Sequence, residues 1–275
     1  MPLPPNFQFS QASLSDYVDC ARRFQLRYLL EQAWPAVEAE PLLERERVMA
    51  LGQRFHKLLQ QHIEGLPVEA LTPSPDEPEL SRWWRDYQHA LDTALRDLPA
   101  ARRAEVALSL PLGLYRLVAH CDLIAAADDR AAQADRVVIV DWKTEQRRPT
   151  RDQLLNRLQT KVYRYIVTEV QQRAPGTVSM IYWFAQYPDQ PEVLTYDARQ
   201  HADDHRFLTE LIAEIAQRAA QPGDWDKTPN ERKCAYCTYR SLCNRGVIAG
   251  ALNPDDEDLE TELVIDLAEL AEIAY

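Results

Sequence analysis

The spacing of apolar positions divides the chain into an early helical stretch and a later mixed one. In residues 13–32, Tyr17, Cys20, Phe24 and Tyr28 recur at intervals of three and four, the period of one helix face, with Ser13 or Ser15 available as a cap. Leu51, Phe55, Leu58, Leu59 and Ile63 predict a second helix over 42–63. Residues 64–80 carry four prolines and few bulky apolar groups, and read as a loop. Trp83, Trp84, Tyr87, Leu91 and Leu95 predict a third helix. From there the period changes. Short β-rich runs at 105–110, 115–125 and 136–142 are followed by a helix over 151–172, strands at 178–185 and 192–196, and a helix over 200–220. This order predicts an α/β domain with an N-terminal helical part folded against it. The expected divisions are a helical part over 1–100, a core over 101–222, a cysteine-rich segment over 223–250 and a tail over 251–275. In the tail, Leu259, Leu263, Leu267 and Leu270 form a helical stripe.

Composition narrows the class. The 275 residues are 46% hydrophobic and 27% charged, an ordinary globular balance. The longest aliphatic run, Val137 to Val140, is far short of the ~20 apolar residues of a membrane helix. The opening MPLPPNFQFS lacks the basic flank and apolar region of a signal peptide, so a cytoplasmic chain with no membrane partner is expected. With seven glycines and no GxGxxG or GxxxxGK[ST], nucleotide-driven motors and dinucleotide-binding dehydrogenases are poor readings. The net charge is −12, but no base follows Arg245, and nine acids lie between Asp255 and Glu272. The rest holds 34 acids against 31 bases, so the acidic balance does not exclude a polyanionic partner.

Three groups of residues carry candidate chemistry. Asp141, Trp142 and Lys143 end the apolar strand, and alternation puts Asp141 and Lys143 on one face. A surface ion pair is one reading of them. Asp122 lies in a second apolar strand, and pairing of the two strands as a meander would bring the carboxylates together. Close carboxylates repel unless a cation neutralises them, and hard oxygen ligands suit Mg²⁺ or Mn²⁺. His56 alone reads as a structural or surface histidine; with the two acids it becomes a candidate ligand. Gln159 and Tyr163, four apart, share a helix face. From Lys143 to Arg164 there are seven bases and two acids, either a solvated helix face or a track for phosphates. Cys234, Cys237 and Cys243 form C-x2-C-x5-C, with Cys20 remote and Cys121 in an apolar segment. Without a secretion signal, clustered cysteines read as metal ligands rather than disulfides. Zinc and a four-thiolate 4Fe–4S cluster are both open on these residues.

Taken together the motifs resemble the PD-(D/E)XK nuclease superfamily, in its RecB-like branch with an iron–sulfur cluster. That branch includes the nuclease domain of AddB and the CRISPR-adaptation nucleases. Its S-L-x-x-Y-x-x-C-P-x-x-F resembles Ser13-Leu14, Tyr17, Cys20-Ala21 and Phe24. Its G-x-x-F-H, at the same spacing, resembles Gly52 to His56, and its G-x-[IV]-D resembles Ala119 to Asp122. Its D-[YW]-K-T matches Asp141 to Thr144, its Q-x-x-x-Y matches Gln159 to Tyr163, and its C-x2-C-x5-C matches Cys234, Cys237 and Cys243. The motifs follow the family's order across residues 13–245. Ala21, Ala119 and Cys121 depart from the pattern without removing a ligand.

The resemblance implies a restriction-endonuclease-like core, a mixed sheet flanked by helices, with the N-terminal part stapled to the cysteine segment. It implies that His56, Asp122, Asp141 and the Trp142 carbonyl bind Mg²⁺ or Mn²⁺. Lys143 would position water or stabilise charge on phosphorus, and Gln159 and Tyr163 would line the site. Glu105, on the first strand, is noted without a role. Cys20, Cys234, Cys237 and Cys243 would hold a [4Fe–4S] cluster, with Arg22, Arg23, Lys233 and Arg240 lining a passage for single strands. The implied activity is a metal-dependent deoxyribonuclease. It would act as an exonuclease on single-stranded DNA or DNA ends, beside a helicase or a CRISPR integrase, in recombination, repair or CRISPR adaptation. The alternatives are an endonuclease or flap-type nuclease, a non-cutting iron–sulfur subunit of a helicase–nuclease or integration complex, and a zinc-stapled interaction module.

Overall fold

The structure, a computed structural model, describes residues 2–32, 40–127, 135–234 and 237–246. The acidic tail over 251–275 lies outside the described residues. A two-residue strand β1 (Gln8–Phe9) opens the chain, followed by α1 (Gln11–Asp19) and the single turn α2 (Ala21–Phe24), which runs into a π-helical turn over Gln25–Leu29. Then come α3 (Glu40–Ile63), α4 (Pro78–Asp92), β2 (Ala101–Leu112), β3 (Tyr115–Ala126) and β4 (Val137–Lys143). The remaining elements are α5 (Arg151–Asn156), α6 (Leu158–Val170), β5 (Val178–Phe184), β6 (Glu192–Thr195) and α7 (Ala198–Ala219). No helix among the described residues is long and apolar enough to cross a membrane.

The six strands of the described residues form one mixed sheet. β2, β3 and β4 make the expected antiparallel meander, β5 lies parallel to β4, and β6 is antiparallel to β5. β3 is long enough to take two partners along one edge, β1 in parallel at its start and β4 at its end. β1 is too short to show a period, and the sequence reading missed it. Every residue of β4 is buried. A near-continuous apolar run of that kind is what a strand covered on both faces requires. Val137 and Ile139 enter a core shared with α6 and α7, whereas Val138, Val140 and Trp142 enter a second core with Phe55 and Leu59 of α3 and Trp83, Trp84 and Tyr87 of α4.

Two helices read as continuous are broken. The stretch over 13–32 is interrupted at Cys20, whose backbone is extended (φ −161°, ψ 106°). Ser10 and Ser13 cap α1 reciprocally, two residues before the expected start. The helix over 151–172 is interrupted at Arg157 (ψ 136°), where the guanidinium pairs with Glu145 at 3.0 Å and lies over the Tyr182 ring. A one-residue break shifts the apolar stripe too little to disturb its period, which is why both stretches read as one helix.

Residues 17–25 pack against residues 214–225. Tyr17 donates its hydroxyl to Glu214 at 2.6 Å, and Arg22 pairs with Asp224 at 2.6 Å. Gln25 donates to the Gly223 carbonyl and accepts from the Trp225 amide, both at 2.8 Å. Phe24 stacks on Trp225 with ring centroids 5.8 Å apart and planes 1° from parallel.

Candidate active site

The site forms where β3 and β4 part. Leu123 pairs with Val140, so Asp122 and Asp141 occupy the next position along the two strands. Asp122 Oδ2 accepts the backbone N–H of Trp142 at 2.8 Å. Asp141 is buried; its Oδ2 lies 3.0 Å from Lys143 Nζ, and its Oδ1 accepts from Gln159 Nε2 at 2.8 Å. Alternation along β4 thus puts the acid and the lysine on the α6 side, as their spacing predicts. Tyr182 in turn donates its hydroxyl toward Gln159 Oε1 at 3.4 Å.

His56 reaches this place from α3. Gly52, one turn earlier on the same face, lets the helix come close. A Cβ built there would lie 3.0 Å from Thr144 Oγ1, just past the end of β4. His56 Nδ1 sits 3.5 Å from Asp122 Oδ1. Phe55 and Leu59 of the same helix are fully buried, which fixes its rotation.

Strand β2 contributes a residue whose role the sequence left open. Glu105, His56 and Asp122 offer ligand atoms that all lie within 4.8 Å of one another. Glu105 has a left-handed backbone (φ 49°), unusual and strained for a residue with a side chain. The β2–β3 pairing passes from Ala104 opposite Leu123 to Val106 opposite Cys121 and skips Glu105 and Asp122. The apolar phase of β3 switches at the same point. Leu117, Ala119 and Cys121 face one core, Leu123 and Ala125 the other. Asp122 sits at the switch. Burial pushes its pKa up, but His56, the Trp142 N–H and Lys143 outweigh that and hold it below the usual carboxylate range. Burial, and then the charge of Asp122, push Glu105 up to about 7.

Tyr163 is buried and donates its hydroxyl to the His120 carbonyl at 2.6 Å. The His120 ring in turn lies 3.1 Å from Glu105 Oε2. Gln159 and Tyr163 therefore hold other members of the site, one the Asp141 carboxylate and the other the backbone of β3.

The proposed basic track is largely consumed within the fold. Arg148 and Arg151 both pair with Glu192, Arg157 with Glu145, and Lys161 and Arg164 with Asp204. The bases near the cysteines are engaged as well. Arg23 pairs with Asp16 and Asp19, Arg22 with Asp224 and Lys233 with Asp19, while Arg240 is buried. The sequence count of +5 overstates the free charge because Glu192 and Asp204 join from far along the chain.

Cys20, Cys234, Cys237 and Cys243 line one pocket, and none is in a disulfide. The backbone N–H of Thr228 points at Cys20 Sγ (3.4 Å), and Arg245 Nη1 lies 3.9 Å from Cys234 Sγ. Burial pushes the Cys237 and Cys243 thiols up. Cys121 lies apart from them in the core.

The model of the PD-(D/E)XK nuclease superfamily matches residues 8–244. The chain belongs to the PD-(D/E)XK nuclease superfamily. Among solved structures, the crystal structure of a "Putative exonuclease" from Eubacterium rectale aligns over 89% of this chain and 90% of that one, at 10% identity and a TM-score of 0.48. A search of the curated proteins found no match. The mixed sheet flanked by helices is the PD-(D/E)XK fold, and its strand ends carry an acidic cluster able to take a divalent cation, the group such nucleases typically use.

Proposed function

We propose that this PD-(D/E)XK protein is a divalent-metal-dependent deoxyribonuclease. The observation that carries the reading is Asp122, 3.5 Å from His56 and held by the Trp142 N–H, at the strand position next to the Asp141–Lys143 pair. His56, Asp122, Asp141 and the Trp142 carbonyl would hold Mg²⁺ or Mn²⁺. A cation there lowers the pKa of water and offsets charge building on phosphate oxygens. Lys143, a buried ammonium beside Asp141, supplies positive charge toward the same phosphate. Gln159 fixes the Asp141 carboxylate, which keeps one orientation as substrate arrives. Action on single strands or ends, as an exonuclease, follows the resemblance to the RecB-like branch, as does work beside a helicase or a CRISPR integrase.

The four cysteines fit a [4Fe–4S] cluster better than zinc. Tetrahedral zinc draws its sulfurs to about 3.8 Å apart. Among the described residues, no three of these sulfurs come within 4.8 Å of one another, although all four line one pocket. A cubane has its irons at separate corners and takes more widely spaced thiolates. Joining Cys20 to Cys234 would close a loop of more than 200 residues. That contributes on the order of 5 kcal/mol by restricting the unfolded chain.

The test is a cleavage assay on linear end-labelled and on circular single-stranded DNA, with Mg²⁺ or Mn²⁺ and with chelator. Loss of the linear substrate alone, abolished by chelator, is the expected result. Equal cutting of circles would replace the exonuclease reading with an endonuclease. No cutting by protein containing iron would favour the non-cutting subunit.

A further inference from the structure

The β2–β3 hairpin runs on past β4, and one of its faces is bare. β2 follows β3 from Ala101 opposite Ala126 to Leu112 opposite Tyr115, whereas β4 pairs with β3 only from Leu123 onward. In the part beyond β4, Leu108 and Leu110 of β2 and Leu117 and Ala119 of β3 close on the core shared with α6 and α7. Alternation turns the cross-strand pairs Ala107–His120, Ser109–Val118 and Pro111–Arg116 to the opposite face. None of these six belongs to either core, all are exposed or part-exposed, and none is an acid.

Arg116 is the one guanidinium among them. Its backbone N–H donates to the Phe7 carbonyl at 3.2 Å, and its Nε donates to Ser109 Oγ at 2.7 Å. These contacts fix the side chain without neutralising it, since among the described residues no carboxylate pairs with Arg116. Arg148, Arg151, Arg157, Lys161 and Arg164, by contrast, are each paired with an acid. Just beyond, Gly113 (φ 63°) turns the chain and leaves Leu114 at the tip, 87% exposed. At its other end the face runs into the active site. His120 Nδ1 lies 3.1 Å from Glu105 Oε2, and Asp122 comes two residues later on β3. From Arg116 to Asp122 the strand covers about 20 Å.

We propose that this face carries the single-stranded DNA that leads into the site, with Arg116 holding a phosphate and Leu114 covering an unstacked base at the far end. This rests on the reading of the protein as a deoxyribonuclease. Charge and continuity name the occupant. A fixed guanidinium without a carboxylate presents its fork of donors to phosphate oxygens. The small side chains of Ala107, Ser109 and Pro111 make a shallow floor on which a backbone can lie, and apolar side chains such as Leu114 contact bases that have left the stack. A protein partner would need a desolvated apolar centre, which this floor does not offer.

The test uses the full chain with its cysteine site intact. Fluorescence anisotropy measures binding of a labelled single-stranded DNA in chelator at several salt concentrations. Hydrolysis with Mg²⁺ or Mn²⁺ is measured on the same DNA and on bis(p-nitrophenyl) phosphate, which is too small to reach Arg116. Arg116→Gln should bind DNA about 10-fold more weakly at low salt. Its plot of log affinity against log salt should be shallower by about 0.7, the loss of one phosphate contact. Arg116→Lys should keep the wild-type slope, and neither variant should change hydrolysis of the small diester. Leu114→Ser should weaken binding by about 3-fold with the slope unchanged, because a base contact carries no charge. Wild-type affinity and slope in Arg116→Gln would overturn the proposal and leave this face to a protein partner. A matching loss of small-diester hydrolysis would overturn it too, since Arg116 would then act on the catalytic centre. Wild-type affinity in Leu114→Ser would remove the base contact from it. If wild type binds DNA through Arg116 but hydrolyses neither substrate, the nuclease reading fails and the track stands.

Discussion

The backbone amide of Trp142 donates to Asp122 Oδ2 at 2.8 Å, so the middle residue of the Asp141-Trp142-Lys143 triplet holds the acid of the neighbouring strand. Its indole, on the opposite face, is locked among Tyr87 and Trp183 in the α3–α4 core. Packing on one side of the sheet thereby fixes the spacing of acids on the other. Asp141→Ala and Lys143→Ala are expected to lower cation-dependent cleavage by at least ~100-fold while single-stranded DNA is still bound. Cleavage and filter binding on the same preparations check this; wild-type cutting by Asp141→Ala would end the site assignment.

Gly52 predicts a loss of activity without a matching loss of stability. Alanine gains about 1 kcal/mol of helix propensity over glycine. Its Cβ would press on Thr144 Oγ1 at 3.0 Å; with Thr144 itself buried, we expect α3 to give by a few tenths of an ångström and carry His56 with it. Gly52→Ala should keep its unfolding midpoint within about 1 kcal/mol yet cut several-fold more slowly, and Gly52→Val should be worse on both counts. A fully active Gly52→Val would show that His56 does not depend on this approach.

Glu105 gives the cation-free protein a pH dependence. Its ordinary value is 4.5, and burial beside Asp122 pushes it up to about 7. The folded state then binds a proton that the unfolded state has lost. The stability this supplies is full below 4.5 and falls away as pH rises through 7. Between pH 6 and pH 8, in chelator, wild type should lose more stability than Glu105→Gln, by less than about 1 kcal/mol because solvent screens this part-exposed carboxylate. Urea unfolding of both at the two pH values is the measurement, and parallel losses would contradict it.

The cysteines separate by position. Cys237→Ala should lose iron, visible absorbance and several kcal/mol of stability. Cys121→Ala, in the core beside Asp122, should keep iron and colour and lose about 1 kcal/mol. Iron and sulfide analysis with thermal unfolding decides between these outcomes.

The tail carries nine acids and no base. Truncation after Gly250 is expected to tighten DNA binding at low salt, with the gain shrinking as salt screens the charge. Binding titrations of both chains at two ionic strengths test it. Equal affinities at low salt would mean that the tail does not compete with phosphates.

Much of this was legible in the sequence because it is local. Strand alternation placed Asp141 beside Lys143, the G-x-x-F-H motif singled out Gly52 and His56, and three apolar runs predicted the meander. What was hidden depends on distant partners. Glu105 stands in an ordinary-looking strand; a turned backbone and the change of apolar phase at Asp122 bring it into the site. Consecutive apolar residues from Leu123 to Ala125 were the only local hint of that change. The basic track looked free because Glu192 and Asp204, which pair with four of its bases, lie tens of residues away. The break at Cys20 becomes intelligible only beside the segment that Cys20 faces.

The packing of residues 17–25 against residues 214–228 has a consequence for synthesis. Phe24 waits for Trp225, Tyr17 for Glu214 and Cys20 for the loop around Thr228, all made some 200 residues later. The sheet can assemble on the ribosome as β2 to β6 emerge, since domains fold in order of appearance. Residues 17–25 cannot settle until the segment over 214–228 has emerged, because these contacts are separated by some 200 residues. During that interval Leu14, Phe24 and Leu29, all buried in the finished molecule, stay exposed to chaperones. A stalled or truncated chain would keep that early signal displayed, which marks it as incomplete.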